Sequence, residues 1–164
     1  MSEEQAATGA NGESQQPARE VALRKIYVKD FSFESPGAPS IFMQQDFKPS
    51  TNLNLSTKNN KIEDNLYECV LTLTLDAKFD NETAFLVELQ QAGVFHLAGY
   101  SDQELNMILG TYCPSTLFPY AREAISGAVQ RGGFPELLLQ PIDFESLYRR
   151  SQMEQAQQQQ AADA

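Results

Sequence analysis

The stretch LYECVLTLTLDAKF, Leu66 to Phe79, alternates almost without a break. Tyr67, Cys69, Leu71, Leu73, Leu75, Ala77 and Phe79 fall on one parity; Glu68, Val70, Thr72, Thr74, Asp76 and Lys78 fall on the other. Side chains of a β-strand point alternately to its two faces, so this pattern commits the segment to a sheet with one face buried. Its 14 residues reach roughly 45 Å at about 3.3 Å per residue.

After DNE a second long run begins, TAFLVELQQAGVFHLAGY, with Phe85, Val87, Leu89, Phe95 and Leu97 on one face. The short connection predicts an antiparallel hairpin. Gly93 inside the run predicts a bulge or a close backbone approach. Upstream, TNLNLST puts Leu53 and Leu55 on one side. VALRKIYVKDFSFES makes a further strand, but its phase slips between Ile26/Val28 and Phe31/Phe33, which predicts a bend or the use of both faces. A loop rich in Pro and aromatics, SPGAPSIFMQQDFKPS, joins these two strands.

The period then changes. SDQE, Ser101 to Glu104, has the form of a capping box, and Leu105, Ile108 and Leu109 follow at helical spacing. This helix is expected to stop before Pro114. A second is expected from about Pro119, where a missing N–H costs little, with an apolar line of Phe118, Ala121, Ile125 and Ala128, ending at Gly132, Gly133 and Pro135. FPELLLQP reads as extended. Asp143 is placed to cap a third helix, with Ile142 and Leu147 spaced as a hydrophobic staple. Strands followed by helices predict an α+β fold, a four-stranded antiparallel sheet with helices packed on one face.

Residues 1–20 are polar and aperiodic and read as a disordered tail. The folded domain is expected over 21–153, and the Gln- and Ala-rich 154–164 as a flexible tail after a few helical turns. A chain of 164 residues is one domain. Its net charge of −10 disfavours nucleic acid and anionic lipid and favours a basic partner. The N-terminus is acidic where a signal peptide is basic, and no run approaches the roughly 18 apolar residues of a membrane span. A cytoplasmic setting is expected.

Catalytic chemistry finds no footing. His96 is the single histidine and has no polar partner in sequence. Cys113 lacks the matching histidine a nucleophilic thiol needs, and precedes a proline that biases it to extended backbone. Cys69 lies on the inward parity as a small hydrophobe. No phosphate loop or zinc set is present, so neither enzyme activity nor a cofactor or metal is expected. What stands out is apolar surplus outside the regular elements: Ile41, Phe42, Phe47, Phe118, Phe134, Leu137, Leu138 and Leu139. An apolar patch of that kind marks an oligomer interface or a groove for segments of another protein.

The stretches IYVKDFSFESPGAP, ETAFLVELQQAGVF and GTYCPSTLFPYAREAISGAVQRGGFPELLLQPIDFESLY resemble the SecB family of protein-export chaperones, from about Ile26 to Tyr148. The resemblance implies a homotetramer, a dimer of dimers, acting as an ATP-independent holdase. Such a protein binds non-native preproteins, keeps them translocation-competent and delivers them to the SecA motor of the Sec pathway. By position, SecA docking falls on Asp30, Glu34, Leu86 and Glu88, and parity supports this, since Leu86 and Glu88 lie opposite Phe85, Val87 and Leu89. The client groove falls among Phe42, Phe47, Leu53, Leu55, Phe118, Phe134, Leu137 and Leu139. The tail after Tyr148 is a second SecA contact in the family. Rival readings are a SecB-like chaperone of a toxin–antitoxin pair, a thiol-dependent enzyme and a purely structural oligomer.

Overall fold

The computed structural model describes residues 17–162; most of the N-terminal tail expected over 1–20 lies outside them. Four antiparallel strands form one sheet: β1 (Glu20–Glu34), β2 (Ser50–Glu63), β3 (Leu66–Phe79) and β4 (Glu82–Ala98), in the spatial order β1-β4-β3-β2. The two hairpins turn at residues with positive φ: Asn65 (61°) between β2 and β3, and Asp80 (48°) and Asn81 (64°) between β3 and β4. Asn and Asp tolerate that region better than other side chains. The first strand lies beside the last, so the loop between Glu34 and Ser50 carries the chain from one edge of the sheet to the other. This is a Greek-key arrangement. A 3-10 turn, Ser40–Met43, anchors the crossover by burying Ile41.

The phase slip in β1 has a physical cause. Its pairing with β4 shifts register twice, between Leu23 and Lys25 and between Val28 and Asp30. Each bulge inserts one residue and flips the parity. Val21, Leu23, Ile26, Val28, Phe31 and Phe33 thereby all share the face carrying Leu89 and Phe95 of β4. Gly93 is the predicted close approach: a Cβ there would stand 2.8 Å from Leu117 Cδ2. The bulge near it belongs to β1.

Three helices lie on the inner side: α1 (Asp102–Gly110), α2 (Tyr112–Arg131) and α3 (Phe144–Ala162); α2 packs on β3 and β4, and α1 and α3 pack against α2 and each other. The capping box forms as expected. Ser101 Oγ accepts from the Glu104 N–H at 3.3 Å, and the Ser101 N–H donates to Glu104 Oε2 at 2.9 Å. The start of the second helix differs from the sequence reading. It begins at Tyr112 and takes in both prolines. Pro114 lies in the first turn, where its missing N–H has no helical acceptor to lose. Pro119 lies inside the helix, and burial of Leu117, Phe118, Ala121 and Ile125 in the core offsets the lost bond. Cys113 is therefore helical, not extended. At α3 the Ser146 N–H donates to Asp143 Oδ1 at 3.1 Å, the expected cap. From residue 154, where a flexible tail was expected, α3 continues to Ala162 with every described side chain exposed.

Candidate functional site

The sheet presents two faces of opposite character. On the outer face, away from the helices, the register brings together the four positions expected to dock a partner. Glu34 of β1 lies directly opposite Leu86 of β4, Glu88 opposite Ser32, and Asp30 opposite Gln90. Asp30, Glu34 and Glu88 are exposed and Leu86 is half-buried. Asp76 of β3 pairs Leu86 from the other side, so the leucine stands between two carboxylates. Asp76 was not among the expected residues. Its parity on β3 already placed it on the polar face, but only the register shows it beside Leu86. Its own partner is Lys78, at 3.7 Å.

The other half of the same face centres on Glu68. Its carboxylate accepts from Lys29 Nζ at 2.7 Å, from the Tyr27 hydroxyl, and from Asn60 Nδ2 at 3.1 Å. The Lys29 bond, with those of Tyr27 and Asn60, holds the Glu68 carboxyl down at about 2 against the desolvation that opposes it. Burial, reinforced by the Glu68 charge, pushes the Tyr27 hydroxyl up to about 12, so it remains a donor. His96 lies on this face too, its Nδ1 3.5 Å from Glu20 Oε2, while Phe95 and Leu97 point inward as the alternation requires.

The inner face carries the apolar opening, and Phe134, in the extended link between α2 and α3, is its hub. Its ring centroid lies 4.8 Å from Phe85, 5.2 Å from Phe42 and 5.8 Å from Phe47. Two cavities flank it. One of about 230 Å³ is lined by Phe47, Pro49, Thr51, Phe85, Phe134 and Leu137; one of about 160 Å³ by Ile41, Phe42, Gln44, Phe47, Gly133 and Phe134. The sequence permits this because Gly133 takes φ +85°, a region open to glycine at no steric cost. A Cβ there would also press on the Phe42 ring at 3.3 Å. Further along the β2 edge, Leu55 borders a third cavity of about 340 Å³ with Phe144, Leu147 and Tyr148 of α3. Leu53, half-buried, packs against the core.

Two expected groove residues sit elsewhere. Phe118 is only 5% exposed and packs beneath α3 against Phe144, with ring centroids 6.0 Å apart. It lies on the apolar line of α2 that its spacing from Ala121, Ile125 and Ala128 already marked, and that line is buried. Leu139 is buried as well, whereas Leu138 is 63% exposed. The three leucines alternate between core and solvent, as an extended segment must.

Neither thiol is placed for chemistry. Burial pushes Cys69 up to about 12 and Cys113 higher still, the opposite of an activated thiolate. Among the described residues no cluster of His, Cys, Asp or Glu could hold a metal ion, and no helix is long and apolar enough to cross a membrane.

Comparison with known proteins identifies the family and the fold. Residues 13–156 match the family described as preprotein translocase subunit SecB. The chain is 53% identical over 144 residues to protein-export protein SecB of Nitrosococcus oceani, covering 87% of this chain and 85% of that one. It is 48% identical to the protein of the same name from Idiomarina loihiensis over the full length of both. Among solved structures, a SecB-like chaperone of Mycobacterium tuberculosis, in complex with an antitoxin peptide, shares the fold with a TM-score of 0.62 at 15% identity. That match covers 74% of this chain and 90% of the other. The chain belongs to the SecB family, whose members are ATP-independent protein-export chaperones and not enzymes.

Proposed function

We propose that this protein holds non-native preproteins in the aromatic groove around Phe134 and passes them to the SecA motor, which docks on the acidic outer face. The observation that carries the reading is the division of labour between faces. An open apolar groove lies on the helix side of the sheet, and a carboxylate cluster around a half-buried leucine lies on the other. A client and a motor can therefore be bound at once.

The physics needs no catalytic group. A folded protein has hidden its apolar segments, so the groove selects for non-native chains. Each buried aromatic or aliphatic side chain contributes about 1.5–3 kcal/mol before ordering costs. Binding the unfolded form withdraws it from the folding equilibrium. The homotetramer, a dimer of dimers, multiplies grooves along one long client and raises avidity through effective concentration. The inner face of β1 supports such an assembly: Val21, Leu23, Val28 and Phe31 remain exposed there, an apolar strip of the kind that seeks a partner. The net charge of −10 adds attraction for basic client segments and for a basic docking tail, and this part fades with salt.

The test separates the two surfaces. Phe42→Arg, at the exposed mouth of the groove, should weaken retention of a denatured preprotein, measured by light scattering and calorimetry, without dissolving the tetramer. Glu88→Lys should weaken SecA binding and spare client binding. Equal loss of both activities in either variant would refute the two-face reading.

A further inference from the structure

In a chain of net charge −10, three lysines gather on one half of the outer face. Lys25 of β1 lies opposite Val94 of β4, and Glu68 of β3 lies on that valine's other side. Tyr27 and Val70 flank Ala92, and Lys58 of β2 lies beside Val70. Lys29 reaches the same group through its bond to Glu68. Glu68, the carboxylate within this group, is engaged by Lys29, Tyr27 and Asn60. Glu20, further along β1, is taken up by Arg24 at 3.3 Å. Lys25 and Lys58 are exposed and form no ion pair among the described residues.

The other half of the face has the opposite sign, with Asp30, Glu34, Asp76 and Glu88 against Lys78 alone among the described residues. Between the two centres runs β4. Glu88 and Val94 are six residues apart on it, about 20 Å at ~3.3 Å per residue. Small side chains, Ala92 and Val94, pave the basic end.

We propose that the outer face is a two-ended cradle for an extended docking segment of a partner protein. The segment carries a cationic stretch for Glu34, Leu86 and Glu88 and, about 20 Å along, an anionic stretch for Lys25 and Lys58. This rests on the reading of the acidic half as a docking site and adds polarity to it. A carboxylate cluster alone accepts any polycation in either direction. A second cluster of opposite sign makes the reversed orientation repulsive, because it sets the partner's cations against the lysines. The lysines thus disfavour chains cationic along their whole length and favour a segment of mixed charge.

The test uses the intact protein and synthetic peptides in fluorescence anisotropy at low salt. All share one Lys-rich block. One ends in a neutral Gly/Ser stretch, and one carries a Glu-rich block after about six neutral residues. The mixed peptide should bind about fivefold tighter, as expected for a pair of exposed charge contacts. Lys25→Glu with Lys58→Glu should erase that advantage while leaving the neutral-ended peptide bound at least as well. Lys25→Ser with Lys58→Ser should erase it too, which guards against a folding artefact of charge reversal. Equal affinity of the two peptides for the unaltered protein would overturn the two-ended cradle and leave acidic docking standing. If Glu88→Lys changed the binding of neither peptide, the docking reading beneath it would fall instead.

Discussion

Tyr27 of β1 and Glu68 of β3 hydrogen bond to each other across β4, a strand to which neither belongs. The register sets Tyr27 beside Ala92 and Glu68 beside Val94, so the bond runs diagonally across a stretch of β4 with small side chains. With Lys29 and Asn60 on the same carboxylate, one side chain ties together β1, β3 and β2. A carboxylate only 12% exposed and held at about 2 is charged throughout the physiological range.

The sign of the resulting pH dependence follows. The folded-state value lies below the ordinary 4.5, so the stabilisation is fully present above about pH 4.5 and is lost as pH falls toward about 2. Glu68→Gln should cost about 2 kcal/mol at neutral pH, since it removes a charged acceptor from several donors. The gap between variant and parent should close between pH 4.5 and 2. Urea unfolding midpoints across that range measure it; a gap independent of pH would show that the charge on Glu68 is not what matters.

Docking of α3 depends on a missing side chain. A Cβ on Gly110, the last residue of α1, would stand 2.5 Å from Tyr148 Cδ2 of α3, closer than any real contact allows. Gly110→Ala should therefore loosen α3 and raise amide exchange over residues 144–152, leaving the sheet protected. Tyr148→Ala removes the obstacle, so the double variant should be less destabilised than the sum of the two single changes. Strict additivity would mean that the two residues do not meet.

Much of this architecture was readable in the chain, and what was not has physical reasons. The alternation of Leu66–Phe79 held because a strand buried on one face leaves no freedom in parity. The slip between Val28 and Phe31 was visible, yet a sequence cannot tell a bulge from a change of face; the register decided it. The Greek-key order left no local trace, because the loop over 35–49 has no feature naming the edge it returns to. Pro114 and Pro119 misled, since tertiary burial of α2 outweighs local propensity. At the outer face, Leu86 and Glu88 were legible from parity, and Asp76 needed pairing across strands. In the groove, Phe134 and Phe42 were legible as apolar surplus. Phe118, equally apolar, belongs to the core, and only the three-dimensional packing separates the two cases.

Buried thiols make a kinetic prediction. Cys69 and Cys113 have no exposed surface and are both held protonated by burial. Iodoacetamide at pH 8 should label neither in the native protein and both in urea. Cys113→Ser should keep holdase activity, at a stability cost of about 1–3 kcal/mol for an imperfectly paired buried hydroxyl. Fast native labelling, or a folded Cys113→Ser protein without activity, would reopen the thiol chemistry that the sequence argued against.

The sharpest functional test lies at Phe42 rather than at the groove's hub. Phe134 touches Phe42, Phe47 and Phe85 and is 6% exposed, so Phe134→Ala should cost about 3–5 kcal/mol through the cavity it leaves. Loss of client binding in that variant would be ambiguous. Phe42 is 44% exposed and lines the smaller cavity from the crossover side, where a client side chain would cover it. Phe42→Ala should cost less than about 1 kcal/mol of stability, in keeping with its partial exposure. It should weaken capture of a denatured preprotein about 3- to 10-fold, the scale set by losing one aromatic contact. Calorimetry with a slow-folding client, set beside thermal unfolding of the same variant, reads both quantities. Unchanged affinity with unchanged stability would place the client elsewhere on the protein.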